Sequence, residues 1–304
     1  MAIFTNKISV YNLTAKLSDT GISFSYTGSN QVKLEKIVAL KDFGPKTLSF
    51  YRGDDYKALE KIACSDGVLI VRKELEDLAL ENKLNLNLLI VNEPDLAICI
   101  LANLFQTKPD SGIHQSAVVD KSASVHPTCY IAAHVVIGEN VTIGKNVLVE
   151  EGAILKNCSI GDGTHIFPGV KIGSAGLGSN RDEKGTWHHF PHFGRVVIGK
   201  NVVIQDNSTI ARGSLNDTTL SDGVVVGPLT WIAHGVNISE NVFIGQSVTV
   251  AGSVTVGAGS IIWSNSSLRD GITVGNGSTI GMGSIVLKDV PDSSLVFGNP
   301  AKGK

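Results

Sequence analysis

The chain has 304 residues, enough for two domains and a sizeable core, and its net charge of −2 with 6% aromatic residues gives no basic surface for nucleic acid. Thirty-three glycines against 18% charged residues fit a turn-rich β architecture. Cys64, Cys99, Cys129 and Cys158 have neither C-x-x-C spacing nor a dense framework, no signal peptide is evident, and no apolar run reaches the roughly 18 residues of a membrane span, so a cytoplasmic protein with reduced thiols is expected.

Residues 1–108 carry no long period. Short aliphatic runs at 68–71 (VLIV) and 88–91 (LLIV) alternate with helical patterns, which predicts a small α/β domain. One helix is expected over 54–64, with Asp54 and Asp55 at its start where the helix dipole favours them. Another is expected over 94–105, opened by Pro94. The polar segment 106–112 (QTKPDSG) reads as a linker.

From Ile113 an aliphatic recurs every sixth position: Ile113, Val119, Val125, Ile131, Ile137, Ile143, Val149 and Leu155. The phase slips by one and resumes at Ile160, Ile166 and Ile172. Amphipathic helices and strands repeat at about 3.6 and about 2 residues, so this period belongs to neither. It is the hexapeptide repeat of a parallel β-helix, in which three hexads close a coil of about eighteen residues and the aliphatics stack inward. Over 174–195 (SAGLGSNRDEKGTWHHFPHFGR) the repeat stops, and this stretch is expected to be a structureless, functional loop. The period returns at Ile198, Ile204 and Ile210, breaks over 213–219, and then runs without a miss from Leu220 to Val286. Pro291 and Pro300 are expected to stop the ladder in a tail over 291–304. The predicted fold class is therefore mainly β: an α/β domain over 1–108, a β-helix over 109–290 and the tail. Such a solenoid leaves an apolar end and an unpaired edge, which the α/β domain can cap. Its flat faces favour self-association, as a trimer by the triangular geometry.

His234 stands two residues after Ile232, near a corner of a coil, and Gly252 lies one coil later. An imidazole beside a bare backbone N–H suits acyl transfer: the base takes a proton from the nucleophile, and the amide stabilises the oxyanion. His188, His189 and His192 raise the competing use of histidine, a zinc site. WHHFPH has no regular helical pair and no obvious carboxylate partner, so no metal is expected. Phe50 and Tyr56 flank a strand-to-helix junction, either as core aromatics or as rings sandwiching a planar base, worth about 1–3 kcal/mol per stacked base.

Over nearly its whole length the chain resembles the UDP-3-O-acylglucosamine N-acyltransferases of lipid A synthesis. The resemblance rests on the hexads, AGLGS…GTWHHFPHFGRVVIG, TIARGSL, WIAHGVNI and the Phe50–Tyr56 pair. It implies a left-handed β-helix homotrimer with active sites between subunits and a uridine nucleotide held partly by residues 1–108. A dTDP-linked sugar would fit the same stack. On this resemblance His234 is the general base, Gly252 the oxyanion glycine, and Phe50 and Tyr56 the aromatics on uracil. The Gly-rich loop covers the sugar, with Gly176, Gly178, His189, His192 and Arg195 as substrate-binding candidates and Arg195 near the pyrophosphate.

Several positions depart from the family pattern. Gly227 and Pro228 replace its Asp-Asn before the base, Ala211 replaces the Asp of I-D-R-G, and Gly271 replaces a further histidine. Trp263 stands where a glycine leaves room, and Ser284 where a methionine lines the acyl channel. The ending DVPDSSLVFGNPAKGK resembles hexapeptide acetyltransferases that use acetyl-CoA, not the family's helical extension for acyl carrier protein. These departures lead to the expectation of an N-acetyltransferase moving acetyl from acetyl-CoA to a UDP-linked amino sugar for surface glycan (O-antigen or capsule) synthesis. Gly252, Ser253 and Trp263 would then contact CoA, with Trp263 shortening the acyl pocket. Two alternatives stand beside it. One is the lipid A enzyme itself, taking a hydroxyacyl group from acyl carrier protein. The other is a non-catalytic nucleotide-sugar-binding protein, suggested by the missing Asp.

Overall fold

Branched aliphatics at every sixth residue leave the chain one economical way to bury them, in a stack down the axis of a coil. The computed structural model describes residues 7–55, 57, 59, 62, 64, 66–76, 86–106 and 109–303. The chain divides into two units, Met1–Lys108 and Pro109–Lys304.

In the first unit a five-stranded sheet runs in the order Phe24–Thr27, Asn87–Val91, Val68–Arg72, Thr47–Phe50, Lys36–Ile37. Its first pair is antiparallel and the others are parallel. Helix α1 (Val10–Asp19) starts at Ser9, whose hydroxyl accepts from the Asn12 N–H while the Asn12 side chain reaches back to the Ser9 N–H. Helix α2 (Pro94–Ala102) opens with its proline at the first turn, as its sequence predicts, and ends three residues before Phe105. Leu13, Leu17, Leu48, Ile70, Leu89 and Leu101 join both helices to the sheet. The helix expected over 54–64 falls largely outside the described residues.

The second unit is a left-handed parallel β-helix. Its strands stack into three parallel faces, the first ending with Thr273–Val274, the second with Leu295–Phe297 and the third with Ile285–Val286. At the first coil Val119 and Val125 are half-buried and Ile113 is exposed, whereas Ile232, Ile238, Ile244, Val250, Val256 and Ile262 are fully buried. Each such side chain contributes about 1.5–3 kcal/mol by leaving water. A second column of small side chains sits beside them. The buried hydroxyls of Ser208, Thr230 and Ser260 donate to the carbonyls of Gly227, Gly245 and Gly275, which satisfies polar groups inside the coil.

Between the third face and the first, three successive levels each turn through one residue in the left-handed region: Gly235 (φ 67°), Ser253 (φ 58°) and Gly271 (φ 73°). The insertion over 174–195 leaves the stack after the strand Lys171–Ser174 of the third face and rejoins at Val196–Ile198 of the first. It therefore sits on this same edge of the prism. The insertion is not structureless. Ser179–Arg181 and Trp187–His189 form an antiparallel hairpin, and the Asp182 carboxylate accepts from the Lys184 and Thr186 N–H groups to close its turn.

The tail also differs from expectation. Pro291 does not end the ladder, because Val274 bridges to Val290 and Ile280 pairs with Val296 beyond it. Lys302–Gly303 then folds back antiparallel on Leu295–Phe297. This turns the open edge of the second face into a short hairpin, which blocks edge-to-edge pairing. No helix among the described residues is long and apolar enough to cross a membrane.

Candidate active site

Strand pairing sets the site. Lys171–Ser174, Thr209–Ala211, Trp231–Ile232, Thr249–Val250 and Ser267–Leu268 are consecutive neighbours in the third face. His234, Gly252 and Asp270 each follow the last three of these strands by the same two residues, so they stack on one edge. The backbone ties the levels together. Ser253 N–H donates to the His234 carbonyl and Gly271 N–H to the Gly252 carbonyl, both at 2.9 Å, while Gly235 N–H donates to the buried Thr218 hydroxyl.

His234 is half-buried and its ring lies against Gly252. A Cβ placed on Gly252 would stand 2.7 Å from His234 Cε1, 2.9 Å from Nε2 and 2.6 Å from Asp270 Oδ1. A side chain there would have to push the His234 ring and the Asp270 carboxylate aside. Among the described residues the Gly252 N–H has no acceptor within the chain, so it is left for an oxygen from outside it.

The opposite side of the His234 ring meets the insertion. A Cβ on Gly176 would stand 3.1 Å from His192 Nε2, 3.2 Å from His234 Cδ2 and 3.3 Å from His234 Cβ, and one on Gly178 would stand 3.3 Å from His192 Cε1. The His192 and His234 rings are edge-to-face at 5.3 Å. His192 is 7% exposed, and its Nδ1–H donates to the Phe190 carbonyl at 2.9 Å. That bond fixes the neutral tautomer and leaves Nε2 as a buried acceptor without a partner. Burial holds the His192 pKa below its ordinary 6.5, helped by repulsion from His234, His189 and Arg212 and opposed by the Phe190 carbonyl. Arg212 latches the insertion in place through Gly194 and Phe193, and Phe193 N–H donates to the Ser214 carbonyl.

The remaining candidates are placed differently. His189 is exposed on the hairpin and stacks 6.0 Å from His192. His188 is engaged by the Asp182 carboxylate at 2.7 Å, and the described residues include no group of three or more His, Cys, Asp or Glu able to hold a metal. Arg195 Nη2 donates to the carbonyls of Asn140 and Cys158, which ties its guanidinium to the solenoid wall. Ser253 is the left-handed turn residue beside Gly252. Trp263 follows Ile261–Ile262 of the second face, on a different edge of this chain, with its ring 5.7 Å from Phe243. Within one chain it does not shorten a pocket at His234, and the same edge carries Gly227. In the first unit Phe50 is half-buried at a strand end, with the Arg52 guanidinium 5.0 Å over its ring and paired to Asp95. Tyr56 lies outside the described residues.

Sequence reasoning passed over Asp270 and Arg212. Asp270 was within reach of the interval that links His234 to Gly252, taken one coil further. Arg212 carries no periodic signal, because its role depends on where the insertion folds back.

Residues 235–270 match the bacterial transferase hexapeptide family (six repeats), and residues 113–180 match the GMPPB C-terminal domain. A UDP-3-O-acylglucosamine N-acyltransferase of Coxiella burnetii is 33% identical over 252 residues, spanning 75% of this chain and 72% of that protein. Its namesake in Hydrogenovibrio crunogenus is 29% identical over 75% of this chain and 69% of its own length. Among solved structures, LpxA of Bacteroides fragilis, a UDP-N-acetylglucosamine acyltransferase, superposes with a TM-score of 0.57 at 27% identity, covering 64% of this chain and 74% of that one. The acyltransferase of Francisella novicida gives 0.58 at 27% identity, over 64% and 69%. These relatives correct the acetyl-CoA expectation. Proteins matching three quarters of the chain are named for N-acylation of UDP-3-O-acylglucosamine and not for acetyl transfer from CoA, so the CoA contacts assigned to Gly252, Ser253 and Trp263 fall with that expectation. The resemblance of the last residues to acetyltransferases covered only the tail, and the tail's fold answers to edge closure.

Proposed function

The chain belongs to the UDP-3-O-acylglucosamine N-acyltransferase family of hexapeptide-repeat proteins, and from that premise we propose that it moves a hydroxyacyl group from acyl carrier protein to the amine of a UDP-3-O-acylglucosamine. The observation that carries this reading is the contact of His234 with Gly252, an imidazole nitrogen beside a glycine whose backbone N–H has no acceptor among the described residues. In the proposed reaction the amine attacks the thioester carbonyl while His234 takes its proton. The new oxyanion sits at the Gly252 N–H. The C–N bond is then complete, the C–S bond breaks, and the imidazolium returns the proton to the departing thiolate.

The sugar is assigned to the mouth formed by the insertion, with His192 and the close glycines 176 and 178 shaping its wall. Phe50 and Tyr56 are assigned as a stacking pair for the uracil ring. The assembly is a homotrimer with sites between subunits, which the open flat faces and the exposed Leu229, Phe243 and Trp263 support. Replacing His234 with alanine lowers kcat by about 10²–10⁴-fold with hydroxyacyl carrier protein and the UDP-amino sugar. A rate within about threefold of the unaltered protein removes His234 as the base. Failure of the unaltered protein to turn over that pair of substrates overturns the reading itself.

A further inference from the structure

The edge that holds His234 and Gly252 carries a third polar residue. Asp270 stands one coil beyond Gly252, on the far side of the gap from the imidazole. Its Oδ1 is 2.6 Å from the point where a Gly252 Cβ would stand, and His234 Nε2 is 2.9 Å from that same point. Carboxylate and base therefore flank the Cα of Gly252 from either side, close enough to each other for one small group to bridge them. Among the described residues Asp270 takes part in no ion pair or hydrogen bond, so neither oxygen is held by a protein donor. The position where the family places an acid, seven residues before the base, is Gly227, and it lies on another edge of this chain.

We propose that Asp270 is the residue that receives the acceptor amine, a specificity contact this chain has in addition to the base. The inference rests on the N-acyltransfer reading of the same site. A sugar amine arrives largely as an ammonium, with three N–H donors and a positive charge. One N–H points to Asp270 Oδ1 and a second to His234 Nε2, so the nitrogen bridges the two groups from the open side of Gly252. A charge-assisted bond to a carboxylate favours the cation over a neutral hydroxyl or an acylated amine. The ammonium sheds one proton to solvent before attack. A second passes from nitrogen to His234 as the C–N bond forms, and moves to sulfur as the C–S bond breaks. The products are one amide, one thiol and one released proton.

The test is calorimetric titration of the full-length protein with UDP-glucosamine, whose amine is free, and UDP-N-acetylglucosamine, whose amine is blocked. Asp270→Asn is expected to weaken binding of the free amine about tenfold or more, and to leave the blocked sugar within about twofold. Asp270→Glu restores most of the difference. A structural role for Asp270 would move both sugars alike. Equal weakening of the two sugars, or none, overturns the assignment and leaves the acyltransfer reading standing. If the unaltered protein binds neither sugar, the acyltransfer reading fails and this inference fails with it.

Discussion

Gly252 is the residue on which the site's dimensions depend. A methyl there would lie 2.7 Å from the His234 ring and 2.6 Å from the Asp270 carboxylate, closer than a real Cβ approaches any atom, so ring and carboxylate would have to swing apart. Gly252 lies at a corner outside the stacked core, so the strain falls on the site more than on the fold. Gly252→Ala is expected to reduce kcat by about 10²–10³-fold, the scale of losing an oxyanion donor, with a thermal midpoint close to that of the unaltered protein. Steady-state kinetics beside a melt checks this. Retained activity would show that the gap tolerates a side chain, and the packing argument would fail.

The insertion over 174–195 is the element that sets this edge of the coil apart from the others. It is held by the Arg212 latch and by backbone pairing at Gly178, Ser214 and Gly213, and it seats His192 against His234. His192 is neutral when seated, facing His234 and Arg212 from the solenoid and His189 from its own hairpin. When the element opens, the imidazole regains its ordinary affinity for protons. The seated form thus binds fewer protons, so its stability is full above the ordinary 6.5 and is lost progressively as pH falls below that value toward the depressed one. Hydrogen exchange of the amides at 190–194, corrected for intrinsic rates, is expected to accelerate between about pH 7.5 and pH 5.5. His192→Gln should remove that acceleration. Persistence of the effect in the variant would assign it to another group.

At the scale of the molecule, the solenoid's stability is a sum of neighbouring coils, each buried aliphatic touching the levels above and below. Ile238→Ala, one level of the core beside His234, is expected to cost about 2–5 kcal/mol in a denaturant titration with the slope unchanged. A cost below about 1 kcal/mol would mean the stack relaxes around the cavity. By itself the sequence determined this solenoid, because one inward side chain per hexad can be buried only by coiling, and that rule is local. The same interval placed His234 beneath Gly252. It could not decide what lies across an edge. The hairpin within the insertion, the approach of His192 to His234, the removal of Arg195 into carbonyl contacts and the tail's pairing beyond Pro291 all join residues whose spacing follows no period. Nor could it decide that the exposed Asp270 would turn its carboxylate toward the Gly252 corner, since the register fixes only the level of a residue and not the direction of its side chain. The coil was legible residue by residue; the site exists only where separate coils and one insertion meet.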